Sequence, residues 1–218
     1  MHGNNKNLIK SITLVIVDGI KESNKTIPII KNNYNILKNI PNIIINKPIL
    51  FTPDELCKNE YFDIISIDKL SYIEYNKFIL KDLNKYIKSN FVLICQSDGY
   101  IINPECWNDN FLNFDYIGAP WPNLEFKNRV GNGGFSLRSK KFLDICEILF
   151  EKYPDVPIRY NHPDYLHEDF LACNVYYEEM IKAGIKFSDI ETASNFSIEH
   201  PILEKKNKTF GFHGNFKK

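Results

Sequence analysis

Residues 75 to 95 pass without a turn signal from an amphipathic segment, YNKFILKDLNKYIKSN, into an entirely apolar one, FVLIC. In the first, Phe78, Ile79, Leu83, Tyr86 and Ile87 recur at helical spacing and form one apolar stripe. The second reads as a buried strand. A helix that hands the chain directly to such a strand implies βαβ crossovers and a largely parallel sheet. Ser11 to Val17 (SITLVIV), ended by Asp18-Gly19, is a β-branched run with the character of a buried first strand. Ile43 to Ile45, Ile49 to Thr52 and Asp63 to Ile67 read as further short strands. Lys140 to Phe150 and Glu168 to Ala183 read as helices, with Gly184 placed to end the second. No repeat, linker or low-complexity segment divides the chain, and 218 residues suit one α/β domain.

Charge and cysteine usage narrow the function. Lys plus Arg number 27 and Asp plus Glu number 27, so there is no overall positive field to hold a nucleic-acid backbone. Met1 to Lys10 lacks the charged start and apolar run of a signal peptide, and no stretch reaches the roughly 18 apolar residues of a membrane span. The expectation is a soluble, cytoplasmic protein. Cys57, Cys95, Cys106, Cys146 and Cys173 form no C-x-x-C pair and are odd in number, which fits reduced thiols better than a zinc site or a disulfide frame.

Ligands of parallel sheets gather at the carboxyl ends of the strands, so the residues after FVLIC are the first place to look for chemistry. There QSDGY puts Asp98 where a carboxylate meets a cation or a ribose hydroxyl, although Asp-Gly is also an ordinary turn. VGNGGFSLRSKK, residues 130 to 141, is glycine-rich but carries neither phosphate-binding fingerprint, G-x-G-x-x-G after a first strand or G-x-x-x-x-G-K-[ST]. HEDF, residues 167 to 170, sets two carboxylates at a helix start, where capping is the plain explanation. Trp121 in DYIGAPWP can stack on a sugar or fill the core, and His213 in FGFHG can be a ligand or a structural side chain.

The order of these segments changes their weight. Q-S-D-G-Y, D-Y-I-G-A-P-W, G-N-G-G-F-S-L-R-S, H-E-D and F-G-F-H-G, spread over about residues 11 to 216, resemble a family of glycosyltransferase-like domains long catalogued as a domain of unknown function. The wider pattern is similar to that of GT-A fold glycosyltransferases. The resemblance implies a GT-A-like, Rossmann-type α/β/α sandwich with a central, mostly parallel sheet. It also implies a nucleotide-sugar donor, a UDP-sugar first among them, a glycan or protein acceptor, and a divalent cation, Mn²⁺ or Mg²⁺.

It assigns roles residue by residue. Asp98 is the last aspartate of a D-x-D whose first position is here Gln96, and His213 matches the late histidine that serves as a second metal ligand. Asp18, Tyr75, Lys77, Gln96, Ser97, Asn132, Gly133, Gly134 and Lys217 fall to the donor, the two glycines letting backbone N–H groups approach sugar hydroxyls. In that reading Ser136, Arg138 and the lysines belong to the turn and the helix behind it. Trp121 and His167 fall to the acceptor. Asp169 matches the general base of inverting enzymes, while Glu168 orients the acceptor or holds the loop. Two rivals stay open: a nucleotidyltransferase, which would want a second carboxylate near Asp98, and a catalytically silent nucleotide-sugar or glycan-binding domain, which the incomplete D-x-D suggests.

Overall fold

The computed structural model describes residues 9–56, 58–154, 167–199 and 208–214. Its centre is a seven-stranded sheet. β1 (Lys10–Val17) lies between β3 (Ile49–Thr52) and β5 (Phe91–Cys95), with β2 (Ile43–Ile45) beside its first residues and β4 (Asp63–Ser66) outside β3. All of these pairings are parallel. On the other side β5 pairs antiparallel with β8 (Phe135–Ser139), which pairs antiparallel with β7 (Tyr116–Ile117). The apolar runs are buried as their composition requires: all five residues of β5 and the last six of β1 are inside, each large side chain contributing about 1.5–3 kcal/mol of transfer free energy. The fold is α/β with a central, mostly parallel mixed sheet.

The helix expected after residue 75 starts earlier and is irregular. Ser71 caps α2 (Tyr72–Lys77) through a reciprocal capping box with Glu74. The chain then widens into a π turn, Phe78–Asp82, and tightens into a 3₁₀ turn, Leu83–Tyr86, that delivers it to β5. α3 (Lys140–Lys152) begins on the Ser139 cap and packs against that π turn. The single helix expected from Glu168 to Ala183 is three pieces: α4 (Glu168–Phe170), a π turn Leu171–Val175, and α5 (Tyr177–Lys182), with Gly184 following at φ 76°.

Several elements were not expected. α1 (Ser23–Leu37) connects β1 to β2 and carries Pro28 inside it. FSLRS is not a turn leading into a helix but the buried strand β8, so Ser136 and Arg138 lie inside the sheet. A second sheet of three strands, β6 (Gly99–Ile101), β10 (Gly211–His213) and β9 (Ser197–Ile198), has β10 at its centre; β9 follows α6 (Ile190–Phe196). No helix among the described residues is long and apolar enough to cross a membrane.

Candidate functional site

Because β1 and β5 are parallel, Asp18 and Gln96 leave the sheet at the same edge. β8 runs the opposite way, so the glycines before it arrive at that edge too, and the Gln96 N–H donates to the Gly134 carbonyl at 2.7 Å. Two clefts open there. One of about 720 Å³ lies over Gly133, Gly134, Asp169 and Trp121. A smaller one, about 340 Å³, lies over Asp18 and Ser97. Tyr72, Tyr75 and Gln96 line both, so the two form one crevice with a narrow divide.

The second sheet delivers the histidine. β10 pairs antiparallel with β6 in a register that sets His213 opposite Gly99, next to Asp98. His213 Nε2 lies 3.2 Å from Asp98 Oδ1 and 3.1 Å from Gln96 Oε1, and Nδ1 lies 3.3 Å from Glu199 Oε1. Burial alone would lower the imidazole pKa, but the hydrogen bonds and charges of Asp98 and Glu199 outweigh it and raise the pKa to about 9. The same hydrogen bond holds the Asp98 carboxyl below the ordinary carboxylate range. Gln96 spans the divide, its Nε2 donating to the Tyr75 hydroxyl at 3.0 Å. Burial and the nearby Glu168 carboxylate keep that hydroxyl protonated, well above the usual phenol range.

Gly134 owes its place to this histidine. A Cβ there would stand 1.9 Å from His213 Nε2, and Gly134 is not among the residues with positive φ. Gly134→Val is therefore expected to displace the imidazole from Asp98 and Gln96, so that His213 loses its raised pKa of about 9 in an NMR titration. Melting temperature measured on the same variant distinguishes a displaced ring from a damaged fold. A stable variant whose His213 titrates as in the wild type would remove the close approach from the account.

The carboxylates of HEDF face different ways. Asp169 looks into the large cleft, its Oδ2 accepting the Gly133 N–H and its Oδ1 the Phe170 N–H, both at 2.7 Å. Each oxygen keeps a lone pair. Glu168 is buried and held bidentately by Arg138, at 2.7 and 2.8 Å, with side-chain exposures of 5% and 1%. Arg138 also reaches the Gly133 carbonyl at 3.4 Å and Ser136 Oγ at 3.0 Å, and its guanidinium lies over the Tyr116 ring. Of the two tasks foreseen for Glu168, holding the loop is the one its contacts serve. A Cβ on Gly133 would meet Glu168 Oε1 at 1.8 Å, so this glycine makes room for an ion pair, and its N–H is spent on Asp169 rather than open to a sugar hydroxyl.

The remaining sequence candidates divide. Trp121 packs flat on Gly131, where a Cβ would come within 2.0 Å of the indole, and makes an aromatic wall with Phe126 and Phe170. His167 is exposed at the rim, hydrogen-bonded to the Tyr72 hydroxyl. Asp18 lines the smaller cleft, but its carboxylate accepts twice from the Glu22 N–H and once from Thr52. Lys77 lines neither cleft: two residues along a helix from Tyr75, it points elsewhere and is exposed. Lys217 lies outside the described residues. Sequence reasoning missed Glu199, Arg138 and Asn76, whose Oδ1 accepts the Glu168 N–H at 2.6 Å. Glu199 and Asn76 sit in no motif, and Arg138, although inside G-N-G-G-F-S-L-R-S, carries no local sign of its distant partner Glu168, so only the fold shows the part each plays.

No curated protein matches the chain. Among solved structures, it is similar to the crystal structure of a glycosyltransferase involved in the glycosylation of the major capsid of PBCV-1, with 13% identity and a TM-score of 0.54, covering 95% of this chain and 94% of that one. At that identity the likeness is one of fold. A weaker likeness, to HddC from Yersinia pseudotuberculosis, has 12% identity, covers 62% of this chain and 79% of that one, and at a TM-score of 0.35 carries no argument. The family model described as "Protein of unknown function (DUF5672)" matches residues 58–213, a span that takes in Asp98, Gly133, Gly134, Asp169 and His213, and the chain belongs to that family.

Proposed function

We propose that this protein is a glycosyltransferase that moves a sugar from a nucleotide-sugar donor, a UDP-sugar first among them, to a hydroxyl of a glycan or protein acceptor, with inversion. The observation that carries the reading is Asp169. Its carboxylate is fixed by two backbone N–H groups and turned into a cleft that has an aromatic wall on one side and continues into a second cleft at the ends of β1 and β5. Donor nucleotide in the smaller cleft and acceptor against Trp121 put the anomeric carbon between them. Asp169 then takes the acceptor hydroxyl proton as the new glycosidic bond forms, and the nucleoside diphosphate leaves from the opposite face with the electron pair of the broken bond.

A divalent cation, Mn²⁺ or Mg²⁺, is part of the proposal. Asp98 Oδ1 and His213 Nε2 are 3.2 Å apart, close to the spacing of about 3 Å between neighbouring ligands of an octahedral ion. One carboxylate oxygen and one imidazole nitrogen suit such an ion once it displaces the imidazole proton. Among the described residues no group of three His, Cys, Asp or Glu side chains is arranged to hold a metal, so water and the donor diphosphate would complete the shell. When bound, the ion would neutralise charge on the leaving diphosphate.

Thermal unfolding with nucleotide sugars, with and without Mn²⁺, tests the reading. A true donor at 100 times its Kd stabilises the native state by about 2.7 kcal/mol. Donor turnover without acceptor separates an enzyme from a silent binding domain. Asp98→Ala and His213→Ala are each expected to abolish the Mn²⁺-dependent part of nucleoside diphosphate binding by titration calorimetry. Unchanged metal dependence in both would remove the ion from these two residues.

A further inference from the structure

The amide of Gln96 has its sense fixed from one side. Its Oε1 lies 3.1 Å from His213 Nε2, a nitrogen that also faces Asp98 Oδ1 at 3.2 Å, so the oxygen and not the NH₂ belongs there. A cation held by His213 would favour the same oxygen. The NH₂ therefore points at Tyr75 and donates to its hydroxyl at 3.0 Å. A phenol oxygen that accepts in this way still has its own proton to give. Among the described residues nothing takes it, since the contact with Gln96 is the one hydrogen bond of the Tyr75 side chain.

Tyr75 is half-buried and lines both clefts, with Asp169 and the aromatic wall on one side of it and Asp18 and Ser97 on the other. Tyr72, the other tyrosine common to both, is engaged by His167. Among the described residues no Lys or Arg lines either cleft. Burial beside Glu168 keeps the Tyr75 hydroxyl protonated, a donor rather than a base. With the nucleotide in the smaller cleft and the acceptor in the larger, the sugar–phosphate bond crosses this divide. We infer that Tyr75 is a further catalytic residue, whose hydroxyl donates a hydrogen bond to the phosphate oxygen that leaves the anomeric carbon. The C–O bond breaks with its electron pair passing to that oxygen. Tyr75 keeps its proton, and its hydrogen bond strengthens as the charge develops. The inference rests on the glycosyltransferase reading above and adds a fixed partner for the leaving group's charge.

The test follows donor cleavage without acceptor, using UDP-glucose, UDP-galactose, UDP-N-acetylglucosamine and GDP-mannose. For whichever donor the wild type turns over, Tyr75→Phe should lower kcat by about 10²–10³-fold, the usual loss for one preorganised donor to a developing charge. Its KM should stay within about 3-fold, because the contact matters most in the transition state. Gln96→Glu leaves the phenol in place but reverses the amide's part: a carboxylate has no N–H to give, so it draws the Tyr75 proton to itself and away from the crevice. This variant should also lose kcat. If instead position 96 wanted the charge of a complete D-x-D, Gln96→Glu would gain activity. Because both changes remove one hydrogen bond, the double variant should be no slower than the slower single. Near wild-type kcat in folded Tyr75→Phe, a gain in Gln96→Glu, or losses that multiply in the double variant overturn the inference while leaving the donor reading intact. Failure of the wild type to cleave any of the four donors overturns the donor reading itself, and the inference with it.

Discussion

Asp169→Asn is expected to bind donor as the wild type does and to transfer sugar about 10²–10⁴-fold more slowly, the usual contribution of a positioned general base. The variant is close to isosteric. Its amide oxygen can still accept the Gly133 N–H that fixes Asp169 Oδ2 at 2.7 Å, so the side chain should stay in place. The loss of the second backbone contact, from Phe170 N–H, costs on the order of 1 kcal/mol of stability. Glu168 cannot substitute, because both of its oxygens are occupied by Arg138. Calorimetry with nucleoside diphosphate and a transfer assay on the same preparation give both halves of the result. Near wild-type transfer by the folded variant would leave Asp169 as a helix-start carboxylate and nothing more.

The second large effect concerns stability. Arg138→Met strands the Glu168 carboxylate in a buried site, and breaking a buried pair in this way costs about 3–5 kcal/mol. For a chain of this size that corresponds to a fall in melting temperature of roughly 6–20 °C. Replacing both partners, Arg138→Met with Glu168→Leu, removes the stranded charge and should recover most of the loss. Catalysis should not recover with it. Without the guanidinium, the Gly133 carbonyl keeps only the Ser136 hydroxyl at 3.0 Å, and the Gly133 N–H that orients Asp169 is held less firmly from behind. The double variant should therefore melt near the wild type, keep its donor KM and show a reduced kcat. A single variant that melts like the wild type would show that the ion pair is not the fastening of this loop.

The strands that were legible in the sequence are those where burial alone dictates composition. FVLIC and SITLVIV can only be interior, and they lie as expected in β5 and β1. β8 was hidden because its interior position is occupied by a serine and an arginine, whose burial depends on Glu168 thirty residues later. α1 was hidden because its buried face includes Ser23, Thr26 and Asn33, and because Pro28 reads as a breaker. The break after Phe170 follows from a π turn, which shifts the register of the apolar stripe and leaves no local mark. Asp169 and His213 line the larger cleft, and Asp98 lies beside the imidazole but lines neither cleft. The glycines were recognisable as places of close approach, but sequence did not show that what approaches is Glu168 and His213 from elsewhere in the chain.

The central position of β10 bears on how the crevice comes into being. Gln96 and His213 are hydrogen-bonded across 117 residues of sequence, and β10 is the strand that joins β6 to β9. Closing so long a loop is entropically costly and belongs late in folding, after local helices and the β1–β5 pairing have formed. Until that strand docks, Asp98 has no imidazole beside it and Gly134 faces an empty notch. The crevice is thus expected to be completed in the last stage of collapse. Because a ligand gripping both Gln96 and His213 would join an early-forming sheet to a late one, it should act chiefly by slowing the unfolding rate, with little effect on the rate of folding.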